Sequence, residues 1–512
     1  MSRRAHLFNL LFASVGYVGI RLLLTPVRIK MLTTLLGKAD YGLLSIVMLT
    51  ISFVTLGSSL GSLEFFLRKL PGRDEGFQFG VLKAVVTTFG GLSILLSLLG
   101  VLLLEAIGPG RLGLARTDMI ACGLLLVLTV HLTQIGYFLM GQGRYAKSRM
   151  LLLMYSEGWL LPLALRWGLG VNVSMVLWIW VGWLALAVLV AQTLVPALRI
   201  ARAGRQPGLL PQILAFGVPL LPMVMGEWIF QLQDRFVLAG MMNLEKVANY
   251  SLSFNIVWVG VTTGISLMDV LVPEFFRLRN LNPSHDVGVL IRDPKLKHGF
   301  TLMLRYALLA AIPIVAALTF CNLPLLRILS APKFHDSAPL MVWLAPIPLL
   351  YLLGLIGGRT LIAIDRGKIV GSATLGAALL NLCLTLTLVP VLGEHGAALS
   401  GCLSYATLAA YLGWRCRFVS WISWRELKPP ALAAYAAICW SAFWLARHRL
   451  LGEGIPNSLL VLAAGGIVCL AALFLLRLVG RSDLHLLMHA RAAKTEPPVV
   501  ATEPTAPSAA AP

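Results

Sequence analysis

Charge is what this sequence has least of. Only 12% of its 512 residues are Asp, Glu, Lys or Arg, about half the share of an average soluble domain. A soluble chain of this length needs more than one core and a wetted surface around each, and there is too little charge to cover such a surface. Acidic residues are the scarcer kind: 22 Asp+Glu stand against 42 Lys+Arg, a formal charge of +20. Metal and disulfide patterns are missing as well. The seven cysteines and nine histidines are scattered, without Cys-x-x-Cys or Cys/His ligand spacing, so neither a disulfide framework nor a metal site is expected. No glycine-rich phosphate loop leads into a nucleotide-binding domain, which argues against direct ATP drive. A membrane polymerase, ligase or glycosyltransferase would hold paired carboxylates or a His/Arg cluster on a large outer loop. The outer loops here are short and carry neither, so no enzyme and no cofactor are expected.

Apolar sequence is what fills the space: 58% of residues are hydrophobic and the mean hydropathy is +0.83. Apolar runs of about 20 residues match a bilayer crossing. They predict helices at about 8–34, 41–67, 79–104, 117–140, 149–168, 174–197, 210–232 and 247–272. Six more follow at about 300–321, 336–358, 368–391, 396–413, 431–446 and 457–479, fourteen in all. The opening MSRRAHLFNLLF lacks a small-residue cleavage site and reads as the first membrane helix. With the N-terminus inside, 28 of the 42 Lys+Arg fall in inside segments and 11 outside, leaving Arg21, Arg28 and Arg305 within helices. The positive surplus therefore reads as topology, with both termini cytoplasmic, rather than as a nucleic-acid surface.

The expected fold is an all-α integral membrane bundle. Residues 1–209 would form one six-helix lobe, 210–418 a second, and 419–480 two further helices. The segment 481–512, ending TEPPVVATEPTAPSAAAP, is too rich in Pro and Ala to bury a core and is expected to be a disordered cytoplasmic tail. A weak repeat supports two halves. KADYGLLSIVML (38–49) opens the second helix and VANYSLSFNIVW (247–258) the eighth, aligning Ala39-Asp40-Tyr41 with Ala248-Asn249-Tyr250. Transporters built from such repeats hold their site between the lobes.

Polar residues at membrane depth carry the chemistry, since an Arg or Asp at a helix centre costs about 2.5–3.5 kcal/mol on insertion scales. In the first helix Ser14, Tyr17, Arg21, Thr25 and Arg28 are spaced 3, 4, 4 and 3, one continuous stripe at 3.6 residues per turn, with Pro26 beside it. Two guanidiniums on one face suit phosphate oxygens; otherwise Arg28 snorkels to the head groups and Arg21 pairs with an acid. Glu64, closing a hydroxyl-bearing second helix, and Arg305 are added to this expected cavity, and Glu157 lies in the fifth helix. The seventh helix has the opposite sign: Met223, Glu227, Gln231 and Asp234 share a face, the two acids about 10 Å apart along the axis. A membrane carboxylate is a candidate for Na⁺ or H⁺ coupling; alternatively Asp234 and Arg235 form a structural cap or ion pair. Asp269 ends a polar face of the eighth helix. Asn381 and Thr385 lie one turn apart in the eleventh, where amide and hydroxyl oxygens could join a seventh-helix acid around a hard monovalent cation.

Four segments carry a resemblance. LLGKADYGLLSIVMLTISFVTLGSSLGSLEFFLRKLP (35–71), QDRFVLAGMMNLEKVANYSLSFNI (233–256), LLRILSAPKFHDSAPLMVWLAPIPLLYLL (325–353) and LNLCLTLTLVPVLGEHGAALSGCLSYA (380–406) occur in that order. Together the chain resembles the polysaccharide-transporter branch of the multidrug/oligosaccharidyl-lipid/polysaccharide exporter superfamily, the Wzx-type oligosaccharide flippases. The resemblance implies two six-helix lobes in a V around a central cavity, alternately open to either side, in the bacterial inner membrane. It implies an undecaprenyl-diphosphate-linked oligosaccharide as cargo, Arg21 and Arg28 receiving the diphosphate, and polysaccharide polymerase or export machinery as partners. The lipid II flippase branch has a Na⁺ site shared by its seventh and eleventh helices, which Glu227 or Asp234 with Asn381 and Thr385 would echo. A lipid II flippase and a cation-coupled drug exporter are the neighbouring readings within the same fold; an arginine stripe suits the second poorly.

Overall fold

The computed structural model describes residues 19–478, other than 22, 60–61, 72, 108–113, 205–207, 219–220, 283, 285, 451 and 453. The positions of Tyr17 and of the expected tail lie outside the described residues, as do the side chains of Glu64 and Asp269. No strand occurs among the described residues; the chain is all-α.

Among the described residues helical segments overlap each of the apolar runs, several of them broken into two pieces. The first half contains α1 (19–35), α2 (Lys38–Ser59), α3 (Glu75–Val85, continued as Gly91–Ile107), α4 (Arg116–Gly141), α5 (Tyr145–Leu153, continued as Leu160–Ala164) and α6 (Val173–Leu194). The second contains α7 (Leu221–Met241), α8 (Leu244–Leu281), α9 (Pro294–Phe320), α10 (Ile347–Ala363), α11 (Gly367–Leu392) and α12 (Glu394–Arg415), followed by α13 (Pro429–Leu450) and α14 (Ile455–Leu475). Among the described residues nine helices are long and apolar enough to cross a bilayer. A tenth is made by Pro332–Leu344 with α10, bent by 41°. Helix α7 carries Glu227, Asp234 and Arg235, which lower its apolarity and make it informative. The protein is a multi-pass membrane protein.

Two of the boundaries that differ from expectation do so for one reason. The eighth helix does not stop near residue 272 but runs 38 residues to Leu281, about 57 Å against a hydrocarbon core of about 30 Å. Its last turns carry Glu274, Arg277 and Arg279, so hydropathy ends where the bilayer ends while the helix continues. Helix α9 likewise begins at Pro294, before the apolar run, because Asp293 caps it: its carboxylate accepts from the amides of Lys295 (2.9 Å) and Leu296 (3.4 Å).

The two halves meet most closely where the repeated tripeptides lie. Gly42 on α2 sits against the start of α8, so close that a Cβ there would lie 2.1 Å from the Leu244 carbonyl oxygen. Beside it the segment joining α9 to α10 straps the first half. Lys30 donates to the carbonyls of Ser330 (2.6 Å) and Arg327 (3.2 Å), and Lys333 donates back to that of Leu36 (2.5 Å). Lys38 pairs with Asp336 at 2.6 Å, and the Asn249 amide reaches the same carboxylate at 3.5 Å. This end of the molecule, carrying the α1–α2 and α7–α8 turns, is shut. Helices α13 and α14 pack together and onto α9, where Tyr435 donates to the Leu309 carbonyl at 3.3 Å, and share a buried cluster with Phe275, Phe300 and Trp421.

Candidate functional site

A cavity of about 230 Å³ lies between the halves below the shut end, and three guanidiniums line it: Arg21 and Arg28 from α1 and Arg235 from α7. Tyr41, Ser45, Tyr155 and Asn255 supply polar atoms around them. The predicted stripe thus brings Arg21 and Arg28 onto one wall. Arg28 is already engaged, its Nη1 lying 3.0 Å from the Glu157 carboxylate, which is fully buried. Glu157 occurs in a π-helical turn, Met154–Gly158, that interrupts α5. Such a bulge re-aims side chains and is common at functional positions. Its second oxygen has no hydrogen-bond partner. Thr25 does not face this group; its hydroxyl donates to the Arg21 carbonyl at 2.8 Å, within α1. Arg305 is elsewhere too: it donates to the Glu426 carbonyl at 3.1 Å, tying α9 to the segment before α13.

A second polar group lies in the second half, where α7, α8, α11 and α12 meet. Asp234 and Arg235 are each only 1% exposed. They do not close on one another as a surface pair. Asp234 accepts from Tyr250 (2.6 Å), Thr385 (3.0 Å), Asn381 (3.4 Å) and the Gln233 amide. Arg235 donates to Ser251 (3.1 Å) and to the Gln231 carbonyl, with the rings of Phe254 and Tyr250 at 4.7 and 5.4 Å. Thr385 also lies 2.7 Å from the Ser400 hydroxyl. The expected trio of Asp234, Asn381 and Thr385 is therefore assembled, and Tyr250, Gln233 and Ser400 join it. Tyr250 was visible in the sequence as the last residue of the repeated tripeptide; Gln233 and Ser400 left no signal beyond polarity in an apolar run.

The donor set defines what this group can hold. The Asn381 and Gln233 side-chain oxygens are buried without a hydrogen-bond partner, an unusual cost for native interiors. Their amide nitrogens face Asp234, so turning either amide about its last bond would bring its oxygen beside the carboxylate and the Thr385 hydroxyl, a set with a single negative charge. Hard cations take oxygen ligands, and one carboxylate balances a monovalent ion. Among the described residues no three His, Cys, Asp or Glu side chains gather as a multivalent metal would require.

Glu227 belongs to neither group. It faces a separate cavity of about 290 Å³ within the second half, with Gln231, Tyr351, Arg359, Thr374 and Tyr405. The seven-residue spacing of the two acids keeps them on one face but places them among different neighbours.

No known sequence family and no curated protein matches the chain. Solved structures do. A lipid II flippase MurJ in an inward closed conformation aligns with 90% of this chain and 97% of its own, with TM-score 0.67 and 13% identity. An inward-facing multidrug resistance MATE family transporter of the MOP superfamily aligns over 80% and 96%, with TM-score 0.65 and 14% identity. An outward-facing MATE transporter aligns less well, at TM-score 0.52 and 13% identity, over 84% and 97%. The chain has the fold of the MurJ and MATE transporters.

Proposed function

We propose that this protein is a flippase that moves an undecaprenyl-diphosphate-linked oligosaccharide from the inner to the outer leaflet of the bacterial inner membrane by alternating access, for surface polysaccharide export. The observation that carries the reading is the convergence of Arg21, Arg28 and Arg235 on one cavity between the halves. Unaided flipping would drag a charged, hydrated head group through hydrocarbon. Guanidinium forks matched to phosphate oxygens substitute for that water, and the surrounding hydroxyls suit sugar. Glu157 holds Arg28 while the cavity is empty, and the diphosphate competes with it for the guanidinium. The shut end is the outer gate, formed by the α1–α2 and α7–α8 turns with the strap, and it opens as the lobes rock. Asp234, with Asn381, Gln233 and Thr385, seats the coupling cation, Na⁺ or H⁺. No bond is made or broken, so the protein is a transporter and not an enzyme.

The decisive experiment is leaflet-resolved lipid analysis of cells lacking the protein. Glycan on undecaprenyl diphosphate should accumulate on the inner face while the surface polysaccharide disappears. Complementation with Arg21→Glu should restore membrane insertion but not transport. Normal translocation with unpolymerised glycan outside would mean that an enzyme had been taken for a transporter. The alignment with MurJ favours one other cargo, lipid II, and the species that accumulates discriminates the two.

A further inference from the structure

A groove of about 940 Å³ opens on the flank of the second half, between α10 and α12. It shares no residue with the arginine-lined cavity between the halves. Its upper part is apolar and shallow-walled, formed by Leu350, Leu353, Ala406 and Ala410. The helices can approach so closely because Gly354 lies against Ala409 and Gly357 against Leu412 and Gly413. Nine residues further along α12, about 13 Å at 1.5 Å per residue, the groove ends among Arg366, Arg415 and Arg417. Arg415 is held over the rings of Trp414 and Tyr411, at 5.6 and 6.0 Å. Arg417 turns the chain in the left-handed region, at φ 56°. The acids nearest in sequence are committed elsewhere, Asp365 beside Arg279 at 3.8 Å and Glu426 on His298 at 2.8 Å. No carboxylate of the described residues pairs with any of the three arginines.

An apolar trough leading to a triad of cations, with the exposed Trp414 at its mouth, has the polarity of a lipid's head group and the start of its acyl chain. We propose that this groove seats an anionic phospholipid of the surrounding leaflet, its phosphate on Arg366, Arg415 and Arg417 and an acyl chain along the small residues of α12. Basic pockets between helices, with tryptophan at head-group depth, recognise lipid in this way. A zwitterionic lipid offers the same chain but no net charge to match three cations, so the seat discriminates by head group.

The test uses the full-length protein, stripped of lipid in detergent, with phosphatidylglycerol and phosphatidylethanolamine of identical chains compared by native mass spectrometry. Phosphatidylglycerol should be retained at least ten-fold better. The combined Arg366→Gln, Arg415→Gln, Arg417→Gln variant should lose that preference. Ala410→Trp fills the trough while leaving the arginines intact, and should lose it too. This second variant decides the matter if the first does not fold. Equal retention of both lipids, or undiminished preference in either folded variant, overturns the proposal. Full displacement by inorganic phosphate together with a silent Ala410→Trp would reduce the site to an anion patch and overturns it as well. If undecaprenyl phosphate displaces phosphatidylglycerol at equal concentration, the groove is a path for cargo and not a seat for resident lipid.

Discussion

The Arg28–Glu157 pair sets the stakes for single side chains. Removing one partner of a buried ion pair costs about 3–5 kcal/mol, because the other is left charged and alone. Arg28→Ala should therefore lower the thermal midpoint in detergent, and adding Glu157→Gln should restore part of the loss. A double variant no more stable than Arg28→Ala alone would mean that Glu157 does not depend on Arg28. In the second cluster, Thr385→Val removes one of the hydroxyls that satisfy Asp234, at about 1–3 kcal/mol. It should also abolish the rise in melting temperature that Na⁺, compared with choline at equal ionic strength, gives the parent. Glu227→Gln should leave that rise intact, because Glu227 faces another cavity. If no Na⁺ effect exists in the parent, the proton is the coupling ion. At this scale the sequence marked polar groups that interrupt apolar helices, and at Asp234, Asn381 and Arg21 it also indicated the neighbourhood, whereas Arg305 and Thr25 lie away from the cavity they were assigned to. It was silent about partners: helical spacing puts Glu227 and Asp234 on one face, but which helices cover each depth is decided by packing across hundreds of residues.

Helices respond to different changes. At Gly42 any side chain meets the α8 backbone, so Gly42→Ala must push α2 and α8 apart. An overpacking cost of about 1–3 kcal/mol is expected, read by thermal unfolding. Asp293 tests the start of α9. Partial burial works against its charged form, but the hydrogen bonds from Asn282, Lys295 and Leu296 outweigh it and hold the carboxyl below its ordinary range. Its contribution is therefore complete above the unfolded value and is lost as pH falls through the folded one. Asp293→Ala should cost about 0.5–2 kcal/mol at pH 7, and the difference from the parent should vanish in acid. Apolar length located these helices well and their ends poorly. Hydropathy reports the bilayer, whereas α8 and α9 end at caps and charged turns beyond it. The π-helical turn that aims Glu157 left no trace in composition.

For the molecule as a whole, the strap at the shut end is the testable element. In a background without the seven native cysteines, Lys38→Cys with Asp336→Cys should be bridged by a bis-methanethiosulfonate linker about as long as a lysine side chain, since the native side chains span that gap and touch at 2.6 Å, whereas a direct disulfide needs the two backbones closer together. Transport should stop, and return on reduction. Transport that persists through a complete cross-link would mean that this end need not open. A three-residue repeat suggested two halves, yet nothing in Ala39-Asp40-Tyr41 and Ala248-Asn249-Tyr250 told that the two repeated segments press against each other. That contact depends on the missing side chain of Gly42, one residue beyond the matched positions.

Asn249 and Tyr250 are consecutive, and they look in different directions. The first reaches Asp336 in the strap, and the hydroxyl of the second donates to Asp234. One peptide unit thus joins the strap at the shut end to the carboxylate proposed to seat the ion. Linkage is reciprocal: if occupancy by the ion changes the stability of the closed end by some factor, closing that end must change the affinity for the ion by the same factor. If the two are coupled, the cross-linked Lys38→Cys/Asp336→Cys protein should differ from its reduced form in Kd for the ion, although none of the proposed ligands has been altered.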